Sequence, residues 1–497
     1  MTHVSKESFS NNALKFLIAM ILITIQLFSW HTTASAAKGD EDDPYIIATD
    51  TTYAPFEFVN SDGELVGIDV DIMKAIAEDQ GFHIDIQVLG FSAAVQALEA
   101  GQADGVIAGM GITEERQDSF DFSTPYYESS VHFAVNADSD IQFAEDLEGE
   151  TVAVKAGTTG ANAAQQQQDE LGYEIRIFED TATMYEDVLS GNSAAAVEDF
   201  PVIQYAINTG QVDFRVLDHE LISQPFGFAV NKDENQELLE MFNSGLENIQ
   251  ANGTYDEIIN TYLSTEATEE NQAPSGILGT LQQHGGALLD GLWQTIWIAF
   301  VGFFIALILG LLIGLMSTSQ NSLIKGISTI YVNIFRSVPL LVLSFFVYFG
   351  IPQLLGITIT NIAAGIIALS VNASAYISEI FRGGINAVDY EQLEAGQSLG
   401  LSRNKSMRHI ILPQAFRIMV PSFLNQFVMT LKDTSILSVI GIVELTQTGR
   451  IIIARTYQSG AVWITIALMY IILITVLTYV SNRIDNKLNS SHTRTIG

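Results

Sequence analysis

Charge and apolarity divide this chain into two parts that cannot share one solvent. Residues 40–276 hold 48 Asp and Glu against 6 Lys and Arg, a net of −42. Residues 277–497 hold 8 acids and 13 bases, a net of +5, set thinly between long apolar runs. Five of those runs come near the roughly 20 residues that cross a bilayer: 293–316, 330–352, 357–380, about 411–431 and 461–480. The fourth is the most polar, with Pro421, Ser422, Asn425 and Gln426 inside it. Residues 288–488 therefore predict an all-α membrane domain of five spans. The acidic part repels nucleic acid and anionic headgroups, so no nucleic-acid partner is expected.

The acidic part is not a disordered tail, because short β-rich runs alternate with helical ones. A first set runs through 45–49, 69–80, 83–88, 93–100 and 103–108. A second set runs through 151–155, 160–171, 174–178, 183–191 and 194–197, and 227–252 returns to the first. Two such sets joined by two crossings predict an α/β clamshell over 44–263, with crossings near 133–135 and 226–230. A ligand would sit between the lobes. Residues 264–280 are polar, contain Pro274 and read as a linker. Residues 1–37 place Lys6 and Lys15 before an apolar run of about 15 residues and a small-residue stretch, the order of a secretory signal that is either cleaved or kept as an anchor. Cysteine is absent, which excludes disulfides, thiolate chemistry and a lipidated amino-terminal Cys. His83 and His132 have no partners at metal-ligand spacing, so neither a metal site nor a cofactor is expected.

Between the third and fourth apolar runs lies EAGQSLGLSRNKSMRHIILP (394–413). It reads as a short amphipathic helix, a turn at Gly400 and a second helix. The spacing of Glu394, Ala395, Gly400, Leu412 and Pro413 resembles the EAA loop of ABC-importer permeases, over 390–413. The resemblance implies a cytoplasmic loop that docks into an ATPase subunit. The lead-in Tyr390-Glu391-Gln392 and the third residue Gly396 depart from the usual pattern. With that loop inside and five spans, Lys325, Arg382, Arg403, Lys405, Arg408, Arg483, Lys487 and Arg494 fall on the cytoplasmic side, as the positive-inside rule expects. Lys432, Arg450 and Arg455 run against it. The acidic domain is then expected outside a cell membrane.

Four further strings carry a second resemblance: ATDTTYAPFEF (48–58), GIDVDIMKAIA (67–77), IAGMGITEERQDSFDFSTPY (107–126) and VAVKAGTTG (152–160). They look like the polar amino-acid binding proteins of ABC importers, a periplasmic-binding-protein-like fold. A zwitterion needs a cation for its carboxylate and an anion for its ammonium. Arg116 offers a planar fork to a carboxylate, and N–H groups around Gly109, Gly111, Thr158 and Thr159 can complete that grip. By the resemblance, Asp199 is the ammonium partner, Tyr53 and Phe91 sandwich the side chain, and Asp50 and Lys155 meet its far end. An acceptor and a donor together suit a carboxamide, so glutamine is the expected ligand. Gly111 stands where relatives often carry Ser or Thr, and Glu198 where the glutamine-binding relative has His. The added charge keeps arginine or histidine as the alternative.

The membrane part is similar to permeases of the histidine, glutamine and polar amino-acid type, through FRSVPLLVLSFFVYFGIP (335–352), AYISEIFRGGINAV (375–388), LPQAFRIMVPSFLNQF (412–427) and LKDTSILSVIGIVEL (431–445). Asn372, Glu379, Asn425 and Gln426 are polar groups inside apolar runs and are candidates for a translocation path, or for helix–helix contacts. The chain contains no G-x-x-x-x-G-K-[ST] string, so ATP would be bound by a partner. One such unit is half a pore, and symmetry favours a homodimer. A ligand-gated channel, an enzyme on the same clamshell and a membrane sensor are the competing functions. The EAA-type loop has no role in a channel, the amino-acid grip and the permease part argue against an enzyme, and the cytoplasmic tail is too short for the signalling domain of a sensor.

Overall fold

The computed structural model describes residues 38–60, 63–263, 276–456 and 458–489. The segment 1–37 and most of the expected linker lie outside the described residues.

The first lobe is a five-stranded sheet in the order Ile84–Val88, Tyr45–Thr49, Gly105–Val106, Ala229–Asn231, Phe120–Phe122. Its first three strands are parallel, as βα winding requires, and Tyr45–Thr49 pairs residue for residue with Ile84–Val88. The helix Ile68–Gln80 covers one face because Ile68, Ile72, Met73 and Ile76 form a single stripe. Gly81, at φ 75°, ends it by returning its N–H to the Ala77 carbonyl. Leu238, Leu239, Phe242 and Leu246 of the helix Gln236–Asn252 close the same core.

The second lobe repeats the plan, in the order Glu174–Phe178, Thr151–Lys155, Ala195–Asp199, Tyr127–Asn136, Phe214–Phe226. The chain crosses between sheets after Phe122 and again after Phe226. The first crossing lies upstream of the expected 133–135. The reason is that Tyr127–Asn136 pairs along its whole length with the returning strand, from Tyr127 opposite Phe226 to Asn136 opposite Phe214.

In the membrane part three helices are long and apolar enough to cross a bilayer: Gly276–Ser317, Asn361–Asn386 and Ser459–Arg483. Two bent pairs raise this to five if each counts as one span. The pair Ser322–Ser337 and Leu340–Leu355 turns by 105°, so residues 330–352 are not the straight span expected from apolarity alone. Pro339 is the cause: it has no N–H to give, and it holds Val338 extended at φ −89°, ψ 124°. Residues 276–280 are the start of a 42-residue helix rather than linker.

The 390–413 segment is a helix, Tyr390–Ser398, a turn with Gly400 at φ 81°, and helical turns leading into Leu412–Asp433. Gly396 is buried, and a Cβ there would come within 2.8 Å of Ile410 and of Ser406. The departure at that position is what lets the two arms close. Glu394 and Ala395 face outward with Leu399, which is 84% exposed.

The clamshell sits directly on the helical part. Gln102 donates to the Ile357 carbonyl (3.1 Å) and accepts from the Ile359 N–H (3.0 Å). Leu89 packs into the same core as Leu340 and Ile442, where Gly441, at φ 75°, leaves no room for a Cβ. Ala182 of the second lobe joins a core with Leu445 and Ile452. Arg455, one of the bases on the wrong side of the charge argument, donates to the Asn60 carbonyl at 3.1 Å.

Candidate functional site

The strands Tyr45–Thr49, Gly105–Val106, Thr151–Lys155 and Ala195–Asp199 all end at the space between the lobes. The carboxyl ends of parallel strands are where open α/β sheets bind ligands. Tyr53, Phe91, Gly109, Arg116, Lys155, Thr158, Thr159 and Asp199 line one closed cavity there, with Ala108. The cavity is about 10 Å³, room for about one water. The lobes are shut on each other, and a ligand has to enter by their opening.

Each charged group in the cleft is already held. Arg116 extends from the short helix Glu114–Gln117, which Thr113 caps. Its Nη1 donates to the Gly111 carbonyl (2.7 Å) and its Nη2 to the Gly157 carbonyl (2.9 Å), so the fork spans both lobes. Its guanidinium lies 5.5 Å from the centre of the Phe91 ring. Two of its five donors are used, leaving others for an anion. Burial pulls it down to about 10, so it stays a cation at neutral pH.

Lys155 and Asp50 form a buried ion pair of 2.6 Å, and the ammonium lies 4.9 Å from the centre of the Tyr53 ring. Burial disfavours the Lys155 charge, but Asp50 and then Glu198 outweigh it and raise its pKa. Asp50 also accepts from the Thr51 N–H (2.6 Å) and the Thr52 hydroxyl (3.2 Å). Asp199 accepts from Ser129 (2.6 Å), from Gln224 (3.2 Å) and from the Tyr53 hydroxyl. Burial raises its pKa, and these donors oppose the rise. Glu198 accepts from Thr181 (2.9 Å) and from the Asp199 N–H (3.1 Å). Burial, and then the Asp199 charge, push it up to about 7, so its negative charge is only partial near neutrality.

Two expectations change on this geometry. The Gly109 N–H is not available to a carboxylate, because it donates to Asp69 at 2.7 Å. Gly109 is required for another reason: it sits at φ 54°, and a Cβ would lie 2.4 Å from the Tyr53 ring. Gly111 lacks the hydroxyl of a Ser or Thr, and Gln224 fills that space, its Oε1 2.2 Å from where a Cβ would be. That Oε1 is buried and has no hydrogen-bond partner among the described residues. Gln224 and Ser129 escaped sequence reasoning because nothing in their local spacing marks them. Both sit on the two long antiparallel strands, whose register brings them together as Gln224 opposite Ser129.

The four intramembrane candidates differ in their surroundings. Asn372 donates to the Phe335 carbonyl (3.2 Å) and Gln426 is buried, whereas Asn425 is exposed. Glu379 pairs with Arg382 (2.7 Å) and lies 3.9 Å from Arg336.

Two family matches divide the chain as its charge does. Residues 45–265 match the bacterial extracellular solute-binding proteins, family 3, and residues 293–490 match the inner membrane component of binding-protein-dependent transport systems. The chain belongs to these transport systems, with a solute-binding domain and a permease domain in one polypeptide. It is 34% identical over 202 residues to the glutamine transport system permease protein GlnP of Escherichia coli K12, covering 40% of this chain and 92% of that protein. It is 37% identical over 211 residues to the arginine transport system permease protein ArtQ of Bacillus subtilis 168, covering 41% and 93%. Among solved structures, the second substrate binding domain of a putative amino acid ABC transporter from Streptococcus pneumoniae is 44% identical, covering 44% of this chain and all of that one, with a TM-score of 0.35.

Proposed function

We propose that this chain is the receptor and permease subunit of an ATP-driven importer of a polar amino acid, with L-glutamine as its ligand. The observation that carries the reading is the spacing of charge in one closed cleft. Arg116 is placed for a carboxylate and Asp199 for an ammonium, while the far end is Lys155, neutralised by Asp50, which stands behind the lining. A carboxamide can both accept from Lys155 and donate to Asp50. A guanidinium would have to displace Lys155 from a 2.6 Å contact. The raised pKa of Glu198 removes much of the charge that would favour a cation. Arginine is the second reading, supported by Asp199 in the cavity wall, by the buried acids Asp50 and Glu198 around Lys155, and by the arginine permease among the relatives.

In the proposed cycle the clamshell faces outward, closes on the amino acid and hands it to the helices on which it rests. The bases flanking the spans support that orientation. A separate ATPase seats on the exposed face of 390–413, where Glu394, Ala395 and Leu399 point away from the protein. Two copies of the permease domain complete the pore. Calorimetry on the full chain in lipid nanodiscs, titrated with L-glutamine, L-arginine and L-histidine, tests the ligand. Tight binding of glutamine with the other two at least tenfold weaker is expected. Preference for arginine would transfer the assignment to the second reading, and no binding of any of the three would reject both.

A further inference from the structure

Behind the cleft lies a pair of acids that the proposed function does not use. Glu57 lies on the strand Glu57–Val59, directly opposite Tyr53 in the ladder. It is fully buried, and neither carboxyl oxygen has a hydrogen-bond donor among the described residues. What faces it is Asp69, also fully buried, in the first turn of Ile68–Gln80. Asp69 Oδ2 accepts from the Gly109 N–H (2.7 Å) and the Tyr126 hydroxyl (2.8 Å), while its Oδ1 has no donor either. Three orphaned acceptor atoms on two touching acids cannot be stable with both acids ionised.

We infer that Glu57 and Asp69 share one proton, carried by Glu57 and donated to Asp69 Oδ1, and that this pair positions two parts of the receptor at once. One part is Gly109, the cleft wall that touches Tyr53. The other is Tyr126, in the first crossing between the lobes, whose N–H bonds the Phe226 carbonyl of the second. The proton rests on Glu57 because Asp69 already accepts two hydrogen bonds, which favour its charged form. The other titratable groups that face the pair are Asp50, Lys155, Tyr53, Tyr126 and Tyr255. Asp50 and Lys155 neutralise each other, so among the described residues that face the pair no free cation compensates a second negative charge. Burial first, and the Asp69 charge second, hold the Glu57 carboxyl well above the usual range. Glu57 is thus a positioning residue, acting on the ligand through Asp69 and Gly109. It sets the shape that the two halves of the clamshell close upon.

The effect on the ligand rests on the proposed amino-acid site, but the proton does not, and the test separates the two. Infrared spectra of the full chain in nanodiscs, without ligand at about pH 8, are compared with those of Glu57→Gln. That pH is far above an ordinary carboxyl pKa. The carbonyl stretch of a protonated carboxylic acid should be present in the wild type and lost in the variant. A glutamine amide can donate to Asp69 as the acid does, so Glu57→Gln should keep affinity for L-glutamine within about threefold. Glu57→Ala removes the donor and should weaken it about tenfold or more. Absence of a Glu57-dependent acid band overturns the inference, whatever the ligand. So does a Glu57→Gln protein that is folded by circular dichroism and loses affinity as Glu57→Ala does. If Glu57→Ala does not fold, the band and the rescue by Gln still decide. If glutamine fails to bind the wild type, the ligand reading falls and the band alone decides the proton.

Discussion

Replacing Lys155 by Met keeps the length of the side chain and removes its charge. It strands the Asp50 carboxylate, whose side chain is 4% exposed, without its 2.6 Å partner. Breaking a buried ion pair from one side costs about 3–5 kcal/mol, because an uncompensated charge remains. Asp50 keeps the Thr51 N–H and the Thr52 hydroxyl, so the lower end of that range applies. A domain of this size loses about 2–4 °C of melting temperature per kcal/mol, so the receptor transition should fall by roughly 6–12 °C. Scanning calorimetry of the full chain reads this directly. The double variant Lys155→Met, Asp50→Asn removes both charges and should recover most of the loss, while binding glutamine more weakly than the wild type. A single variant that melts within about 2 °C of wild type would refute the reasoning, as would a double variant no more stable than the single.

Arg116→Ala should leave the receptor folded and lower its affinity for the amino acid by about 2–5 kcal/mol, as expected for a buried charged contact to a carboxylate; unchanged affinity by calorimetry removes Arg116 from the site. Glu198 gives a pH dependence of stability. Its pKa in the folded protein is about 7 against an ordinary 4.5, so between those values the folded state holds a proton that the unfolded state has released. Stability should therefore fall as pH rises from about 4.5 to about 7 and level off above, and Glu198→Gln should flatten that slope; an unaltered slope in the variant assigns it elsewhere. Gly400→Val places a β-branched residue at φ 81°. It should bind the amino acid normally yet fail to couple to the ATPase; full uptake in reconstituted vesicles would show that 390–413 is not the coupling element.

Local chemistry made most of the fold legible. Tyr45–Thr49, Thr151–Lys155 and Ala195–Asp199 announce themselves as apolar β-branched or small-residue runs, and the apolar stripe of Ile68–Gln80 has helical period. Apolarity alone could not show where a helix turns, so residues 330–352 read as one span although Pro339 divides them. The first crossing was misplaced because the alternation of Val131, Phe133 and Val135 has the same look on either sheet. Only pairing with Phe214–Phe226 says which sheet owns it. In the cleft, Arg116, Lys155 and Asp199 were readable because short motifs carry them. Ser129, Gln224, Glu57 and Asp69 act through partners 25–70 residues away or through one another, and tertiary contacts of that kind leave no local pattern.

The helix Gly276–Ser317 has 42 residues, about 63 Å at 1.5 Å per residue. The hydrocarbon core of a bilayer is about 30 Å thick. Roughly half of the helix must stand clear of the lipid, and it stands as a stiff post rather than a slack string. A receptor carried on the same chain as such a post, and resting on the helices through Gln102 and the Asn60 carbonyl, works beside the permease domain it was made with. Capture of the ligand stays second order, but the hand-over from receptor to permease becomes an intramolecular, first-order step whose rate does not depend on how many copies are made. Gene expression cannot tune the ratio of receptors to pores, because translation fixes it at the moment the chain is made.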